Sequence, residues 1–207
     1  TIGDDKVCVF IGKRGTGKST LVTDIMYHKK HIPCGIVMSG TEDGNHYYRQ
    51  FVPDLFIYGD YNRPAIEKVL ERQRRLVSMG QKSSAFLLLD DCMYDKAFMK
   101  DTCIRQCFMN GRHWKVFFML TMQYCMDLSP DLRANVDYVF ILRENVIQNN
   151  ISTYISLGTE SFQFFQWGSD NCISNIVSSE SAIKNSNNAQ LVSSNFVTGG
   201  SLLKIET

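Results

Sequence analysis

The sequence predicts an α/β fold in which a mainly parallel sheet is flanked by helices on both faces. Short apolar runs, often β-branched, alternate with longer amphipathic segments over residues 6–145. A glycine-rich stretch joins the first apolar run to the first amphipathic segment. Such strand, helix, strand repetition gives parallel strands connected by helices that cover both sides of the sheet.

Each element is predicted by its own pattern. Strands are expected at the apolar runs, which cover residues 6–11, 35–38, 55–58, 85–89, 116–120 and 138–142. Helices are expected at residues 18–30, 64–79 and 95–110. The helix at 64–79 has the clearest limits, because it opens with Pro64 and stops before Gly80.

Composition changes near residue 150, and we expect a domain boundary there. All Lys and Arg except Lys184 and Lys204 precede residue 145, and the segment that follows is rich in Ser and Asn. Residues 1–150 are therefore predicted to form the main domain. Residues 151–207 also contain aromatic residues, so a β-rich appendage and a partly ordered tail both remain open.

Bulk properties exclude several classes of protein. The formal net charge is +1, so no strong overall attraction to nucleic acid is expected, and local basic patches would have to supply it. No apolar stretch approaches the ~20 residues of a membrane span, and the first residues do not resemble a signal peptide. The seven cysteines form no regular framework, which fits reduced thiols. We expect a soluble, intracellular protein.

A phosphate-binding motif follows the first predicted strand. It reads Gly12-x-x-x-x-Gly17-Lys18-Ser19 and lies between a strand and a helix, as a phosphate-binding loop requires. Its backbone N–H groups would contact phosphate, Lys18 would reach the terminal phosphates and Ser19 would bind Mg²⁺. The residues expected to bind ATP are Gly12, Lys13, Arg14, Gly15, Thr16, Gly17, Lys18, Ser19 and Thr20.

Two carboxylates end the predicted strand at 85–89. Asp90 would lie beside the loop, where an acid holds the Mg²⁺ shell, so Ser19 and Asp90 are the expected metal-site residues. Asp91 is the candidate base that activates the attacking water. The alternative for both residues is an acidic strand end without a chemical role.

Polar and basic residues near the strand at 116–120 complete the candidate set. Gln123 follows this strand and is the candidate sensor of water and γ-phosphate, although a glutamine that only caps the strand is the alternative. Arg112 precedes the strand on a turn and is the first candidate for an arginine finger that reaches a neighbouring subunit's nucleotide. Arg133 and Arg143 are rivals, and a plain surface or ion-pair role is open for each arginine.

These motifs together resemble the FtsK/HerA superfamily of RecA-like P-loop ATPases. The residues that carry the resemblance are GKRGTGKST, SGTED after the second strand, FLLLDD, the NGRHWK turn and the TMQ strand end. They look most like the genome-packaging ATPases of large eukaryotic DNA viruses, and they cover residues 6 to about 145. The family's usual ending has no match beyond residue 150.

The resemblance implies an ATP- and Mg²⁺-dependent motor that moves double-stranded DNA into a capsid. It implies a homo-oligomeric ring of five or six subunits, a capsid or portal partner and a location in the host cytoplasm, virus factory or virion. The resemblance also implies a role for each candidate residue. Lys18 would bind phosphate, Ser19 would bind Mg²⁺ and Asp90 would hold the metal. Asp91 would be the base, Gln123 the sensor and Arg112 the arginine finger.

Two other enzyme classes share the loop. A small-molecule kinase would carry an Arg-rich lid, and no convincing lid follows Gln123. A GTP-binding switch would carry an Asn-Lys-x-Asp motif, which is absent. A non-viral DNA pump of the same superfamily would have the same site chemistry.

Two further groups of residues have plain structural interpretations. Cys103, Cys107 and His113 have some metal-ligand character, but packed thiols on a helix are the favoured interpretation. The basic cluster at the end of the 64–79 helix is either a DNA contact or a solvated face; its members are Arg72, Arg74, Arg75 and Lys82.

Overall fold

The structure, a computed structural model, describes residues 2–92, 96–123 and 128–142 together with three strands further along the chain. The strands are β1 Val7–Ile11, β2 Gly35–Ser39, β3 Ile57–Tyr58, β4 Ala85–Asp90, β5 Val116–Met122, β6 Tyr138–Ile141, β7 Ser161–Trp167, β8 Ser174–Ser178 and β9 Gly200–Ile205. The helices are α1 Lys18–His28, α2 Glu42–Asn45, α3 Arg63–Ser78, α4 Thr102–Asn110 and α5 Pro130–Arg133. The predicted α/β fold is confirmed.

The strands form one sheet in the order β3-β2-β4-β5-β1-β6-β9-β7-β8. The first six strands in this order are parallel. Strand β1 lies between β5 and β6, at the centre of the nine-stranded sheet. The backbone of β9 pairs antiparallel with β6, and β7 and β8 continue the sheet antiparallel. The strands beyond residue 150 therefore extend the sheet of the main domain.

Helices cover both faces of the parallel part of the sheet. Alternate residues of β1 point to opposite faces, as the two-residue period of a strand requires. Val9 belongs to the core cluster that contains buried residues of α3 and α4, whereas Phe10 belongs to the cluster that contains Val22 and Ile25 of α1. Near-continuous burial along β1, β2, β4 and β5 is typical of parallel strands with both faces covered.

Two predicted elements differ from the observed ones. The strand expected at 55–58 is reduced to Ile57–Tyr58, because a 3₁₀ turn at Asp54–Phe56 follows Pro53 and leaves Leu55 79% exposed. The helix expected at 95–110 is divided into a 3₁₀ helix at Lys96–Lys100 and α4. The break lies at Asp101, whose extended backbone and carboxylate cap α4 by accepting the Cys103 N–H at 2.8 Å.

The helix predicted at 64–79 starts and ends within one residue of the prediction. Its N-cap is Asn62, whose side chain accepts the Ala65 N–H at 3.0 Å. The helix predicted at 18–30 ends at His28. None of the helices in the described part of the chain is long and apolar enough to cross a membrane.

The described cysteines are free thiols, and most of them are buried in the core. Burial raises the pKa of Cys92 to about 12 and raises that of Cys107 further. Cys103 and Cys107 pack in the core beside α3 and β5, and no group of three or more His, Cys, Asp or Glu side chains that could hold a metal occurs among the described residues.

Candidate nucleotide-binding site

The carboxyl ends of three neighbouring strands bring the predicted site residues together. Gly12 directly follows β1, Asp90 ends β4 and Gln123 directly follows β5. Since β5 lies between β4 and β1 in the parallel sheet, these residues lie together at the edge formed by the carboxyl ends of the strands. Open α/β sheets bind ligands at this edge.

The glycine-rich loop has the backbone that a phosphate site requires. Gly15 and Gly17 have φ angles of 78° and 91°, in the left-handed region that glycine adopts without a steric penalty. Gly12 has no room for a side chain, because a Cβ atom there would lie 2.7 Å from Thr16 Oγ1 and 3.0 Å from Leu142 Cβ. The loop ends at the N-terminus of α1, where free N–H groups and the helix dipole favour an anion.

Lys18 is buried although it is charged. Its ammonium donates to the carbonyl oxygens of Gly12 at 2.7 Å and Lys13 at 3.0 Å, so it lies against the loop. Burial lowers the pKa of Lys18, while the charges of Asp91 and Asp90 act in the opposite direction and Arg14 adds to the lowering. A phosphate group bound at the loop would add negative charge close to this ammonium.

Asp90 is held by hydroxyl groups on both carboxylate oxygens. Thr121 Oγ1 donates to Oδ1 at 2.7 Å, and Tyr48 donates its phenol hydroxyl to Oδ2 at 2.7 Å. Ser19 Oγ donates to the same Oδ2 at 3.2 Å, which joins the predicted metal-site residues directly. Asp90 is 3% exposed, so these bonds replace most of the water that a carboxylate would otherwise bind.

Tyr48 and Glu42 belong to the site but were not predicted as site residues. Glu42 is buried, and its carboxylate accepts the Tyr48 N–H at 3.0 Å and the Arg49 N–H at 3.1 Å. Burial and the adjacent Asp90 raise the pKa of the Tyr48 phenol far above its usual value, so the group stays a donor. No spacing rule links Tyr48 to Asp90, so only the fold reveals the contact.

Asp91 lies beside Asp90 with an unusual backbone. Its φ angle is 53°, which is rare for a residue other than glycine, and its N–H donates to Thr121 Oγ1 at 2.9 Å. Gly40 approaches closely, and a Cβ there would lie 3.0 Å from the Asp91 carbonyl oxygen. The two adjacent carboxylates have different partners, since Asp90 Oδ1 accepts from Thr121 Oγ1 whereas Asp91 Oδ1 lies next to Gln123 Nε2.

Gln123 is exposed and lies next to Asp91. Its Nε2 is 3.5 Å from Asp91 Oδ1, at the outer limit of a hydrogen bond. The structure therefore brings together, at one edge of the sheet, the predicted site residues Lys18, Ser19, Asp90, Asp91 and Gln123.

The donor atoms fit a magnesium nucleotide. Mg²⁺ prefers oxygen ligands and retains several waters, and Ser19 Oγ and the Asp90 carboxylate are oxygen donors beside the loop. When bound, Mg²⁺ would neutralise negative charge on the phosphate oxygens. Ser19 would hold it directly and Asp90 would hold its hydration shell.

Arg112 lies at the opposite edge of the sheet. It precedes β5, and its Nη2 donates to Asp137 Oδ1 at 2.6 Å; Asp137 also pairs with Lys6 at 3.0 Å. Arg112 is 55% exposed, so it is accessible to another molecule but remote from the loop of its own chain. Arg133 has a buried Nε and Nη1 without hydrogen-bond partners in the described part of the structure, and Arg143 lies outside the described residues.

Comparisons with known proteins find sequence similarity to viral proteins and a fold shared with ATPases. No family model matches it. Uncharacterized protein 015R of Frog virus 3 is 43% identical over 161 residues, covering 76% of this chain and 50% of that protein. The chain spans between 50% and 61% of the curated relatives that it matches.

Solved structures share the fold. The genome packaging NTPase B204 of Sulfolobus turreted icosahedral virus 2, in complex with ATPγS, has a TM-score of 0.54 and 21% identity over 76% of this chain and 85% of its own. EssC ATPases 2 and 3 from Geobacillus thermodenitrificans have a TM-score of 0.58 and 14% identity over 97% of this chain and 39% of theirs. The RecA-like P-loop ATPase fold is thus confirmed, and the structures that share it include a viral genome packaging NTPase and the EssC ATPases.

Proposed function

We propose that the chain is an Mg²⁺-dependent ATPase that moves double-stranded DNA and packages a viral genome into a capsid. The observation that carries this proposal is the junction of Ser19, Asp90, Asp91 and Gln123 at the end of the phosphate-binding loop. A metal-side acid and a separate water-side carboxylate are the parts that ATP hydrolysis requires. Packaging is supported by the viral relatives and by the fold shared with B204.

The residues divide the chemical work. The loop amides and Lys18 bind the phosphates and stabilise the charge that develops as the terminal phosphoryl group leaves. Ser19 and Asp90 hold the metal shell. Asp91 orients the attacking water and accepts its proton, and Gln123, which is 3.5 Å from Asp91, detects whether the γ-phosphate is present.

Assembly into a ring supplies what one subunit lacks. Arg112 is too far from the phosphate-binding loop of its own chain to act there. It lies at the amino end of β5, whereas the loop follows the carboxyl end of β1. In a head-to-tail ring of five or six subunits, Arg112 would face the nucleotide of the next subunit. DNA would pass through the pore and contact Lys and Arg side chains by its phosphates.

ATP turnover with different nucleic acids tests this function. We expect duplex DNA of any sequence to stimulate the rate more than single-stranded DNA, and we expect the stimulation to fall steeply between low and high salt. Lys18→Ala is the control that removes the site. Phosphate transfer to a nucleoside, with a rate indifferent to DNA, would instead identify a small-molecule kinase.

A further inference from the structure

A buried tyrosine reaches the candidate metal site from outside the recognised motifs. Tyr48 lies in a short 3₁₀ turn, is 1% exposed and donates its hydroxyl to Asp90 Oδ2 at 2.7 Å. We propose that Tyr48 is a positioning residue that orients the Asp90 carboxylate for the magnesium nucleotide. This inference rests on the proposed ATPase function.

The bonds to Asp90 separate into two kinds. The bonds from Tyr48 and Thr121 are both 2.7 Å and hold one carboxylate oxygen each, which fixes the plane of the group. The bond from Ser19 is longer, at 3.2 Å, and comes from the hydroxyl that would bind the metal. If the Ser19 hydroxyl held Mg²⁺ instead, Tyr48 and Thr121 would still hold the carboxylate in place.

The position of Tyr48 is itself fixed by a buried charge. The Glu42 carboxylate accepts the Tyr48 N–H with both oxygens, at 3.0 and 3.1 Å, and the Arg49 N–H with one of them. A carboxylate that is 1% exposed is costly to bury, so these bonds strongly favour one conformation of the turn. Glu42 therefore fixes the backbone from which the phenol reaches Asp90.

A purely structural role is the competing explanation, because the Tyr48 ring also packs. Its centroid lies 5.3 Å from the Tyr47 ring and 5.7 Å from the Phe51 ring. Phenylalanine would retain the ring contacts and lose only the hydroxyl. Tyr48→Phe thus separates the hydrogen bond to Asp90 from the packing.

The experiment measures ATPγS affinity in EDTA and at increasing Mg²⁺ concentration. Tyr48→Phe should bind ATPγS in EDTA as the wild type does and should need about tenfold more Mg²⁺ for half-maximal binding, since a hydrogen bond to a charged group is lost. Tyr138→Phe is the matched control, because Tyr138 packs against the same core cluster at the amino end of β6. Its Mg²⁺ requirement should match the wild type.

Two results would overturn the proposal. One is an unchanged Mg²⁺ requirement in Tyr48→Phe, and the other is an equal loss of affinity with and without Mg²⁺, as a packing defect would give. Thermal unfolding in EDTA checks that the variants are folded. A wild type that shows no Mg²⁺-dependent ATPγS binding would refute the ATPase function and the inference together, whereas the first two results refute the inference alone.

Discussion

A single hydroxyl links the Asp90 carboxylate to the backbone of Asp91. Thr121 Oγ1 donates to Asp90 Oδ1 at 2.7 Å and accepts the Asp91 N–H at 2.9 Å. Thr121 is fully buried, so no water replaces either bond if the hydroxyl is removed. The Asp90 carboxylate and the Asp91 backbone are therefore both held by this one side chain.

We predict that Thr121→Val lowers both stability and turnover. Valine has a similar shape but leaves buried polar groups without a partner, which costs about 1–3 kcal/mol in the free energy of unfolding. ATP turnover should fall more than nucleotide affinity, because the metal acid and the candidate base are both displaced. Chemical denaturation and steady-state ATPase assays measure the two effects.

Thr121→Ser is the control, since it retains the hydroxyl. It should recover most of the turnover. A Thr121→Val variant with wild-type stability and turnover would show that the linking hydroxyl has no energetic role.

Some residues of the candidate site can be predicted from the sequence and others cannot, for a physical reason. Gly12, Lys18 and Ser19 are close along the chain, so their spacing alone predicts how they cooperate. Tyr48 and Thr121 reach Asp90 only because β4 lies between β2 and β5 in the sheet. Contacts of this kind depend on strand order, which a single sequence does not encode as a local pattern.

At the scale of elements, a charged cluster ties the segment before β1 to the end of α1. Asp4 accepts hydrogen bonds from Lys29 at 2.5 Å and from His31 at 2.8 Å. Burial raises the pKa of Asp4, but the hydrogen bonds and the charges of Lys29 and His31 outweigh it, so that the pKa lies below the ordinary 3.8. The ionised form therefore stabilises the fold.

We predict a pH-dependent effect of Asp4→Asn on thermal stability. Because the pKa of Asp4 is lowered in the folded state, its contribution is fully present above pH 3.8 and is lost as pH falls through the folded-state pKa. At pH 7 the variant should melt about 1–4 °C below the wild type. As the pH falls below 3.8 the difference should shrink, and thermal unfolding at pH 7 and pH 3 would record the change.

Asp24→Asn is the matched control, since Asp24 is an exposed carboxylate on α1. It should alter the melting temperature little at either pH. If Asp4→Asn lowers the melting temperature equally at pH 7 and pH 3, the carboxylate charge is not the cause.

Periodicity predicted the regular elements better than the irregular ones. The α3 limits follow from Pro64 and Gly80, two local signals that act within a few residues. The division of the helix expected at 95–110 depends on Asp101, which caps α4 from inside an otherwise helical pattern. Capping residues compete with helix continuation, and the sequence does not show which tendency prevails.

In the whole molecule, the candidate residues lie at opposite ends of the parallel strands. The loop, Asp90 and Asp91 lie at the carboxyl ends of the strands, and Arg112 lies at the amino end of β5. Arg112 therefore lies far from the candidate nucleotide-binding site of its own chain. A head-to-tail contact would bring the two edges of neighbouring subunits together.

We predict that Arg112→Ala subunits reduce the activity of wild-type partners. Such subunits should bind ATP normally. In mixtures, the ATPase rate should be lower than the rate expected from the fraction of wild-type subunits, since a trans finger contributes roughly 10³–10⁵ in rate. Arg105→Ala is the control, because Arg105 also pairs with an aspartate, Asp131, on the surface. Mixtures whose activity simply follows the wild-type fraction would contradict a role across the interface.

The part of the chain beyond residue 150 was the hardest to predict. Its composition leaves a β-rich appendage and a partly ordered tail open, and the structure places β9, β7 and β8 beside β6. Antiparallel extension needs no connecting helix, so it leaves no alternating strand and helix pattern in the sequence. Only the register of β9 against β6, with Tyr138 opposite Lys204, reveals the continuation.

In the proposed function, one loop binds ATP and two adjacent carboxylates divide metal binding from water activation. The most direct measurement is Mg²⁺-ATP affinity together with turnover for the wild type, Lys18→Ala and Asp91→Asn. Asparagine tolerates the left-handed backbone that Asp91 adopts at φ 53°, so this variant changes the charge without straining the chain. We predict that Lys18→Ala loses nucleotide binding, whereas Asp91→Asn binds as the wild type does and turns over about 10²–10⁴-fold more slowly. Equal loss of binding in both variants, or undiminished turnover in Asp91→Asn, would show that Lys18 and Asp91 do not have these separate roles.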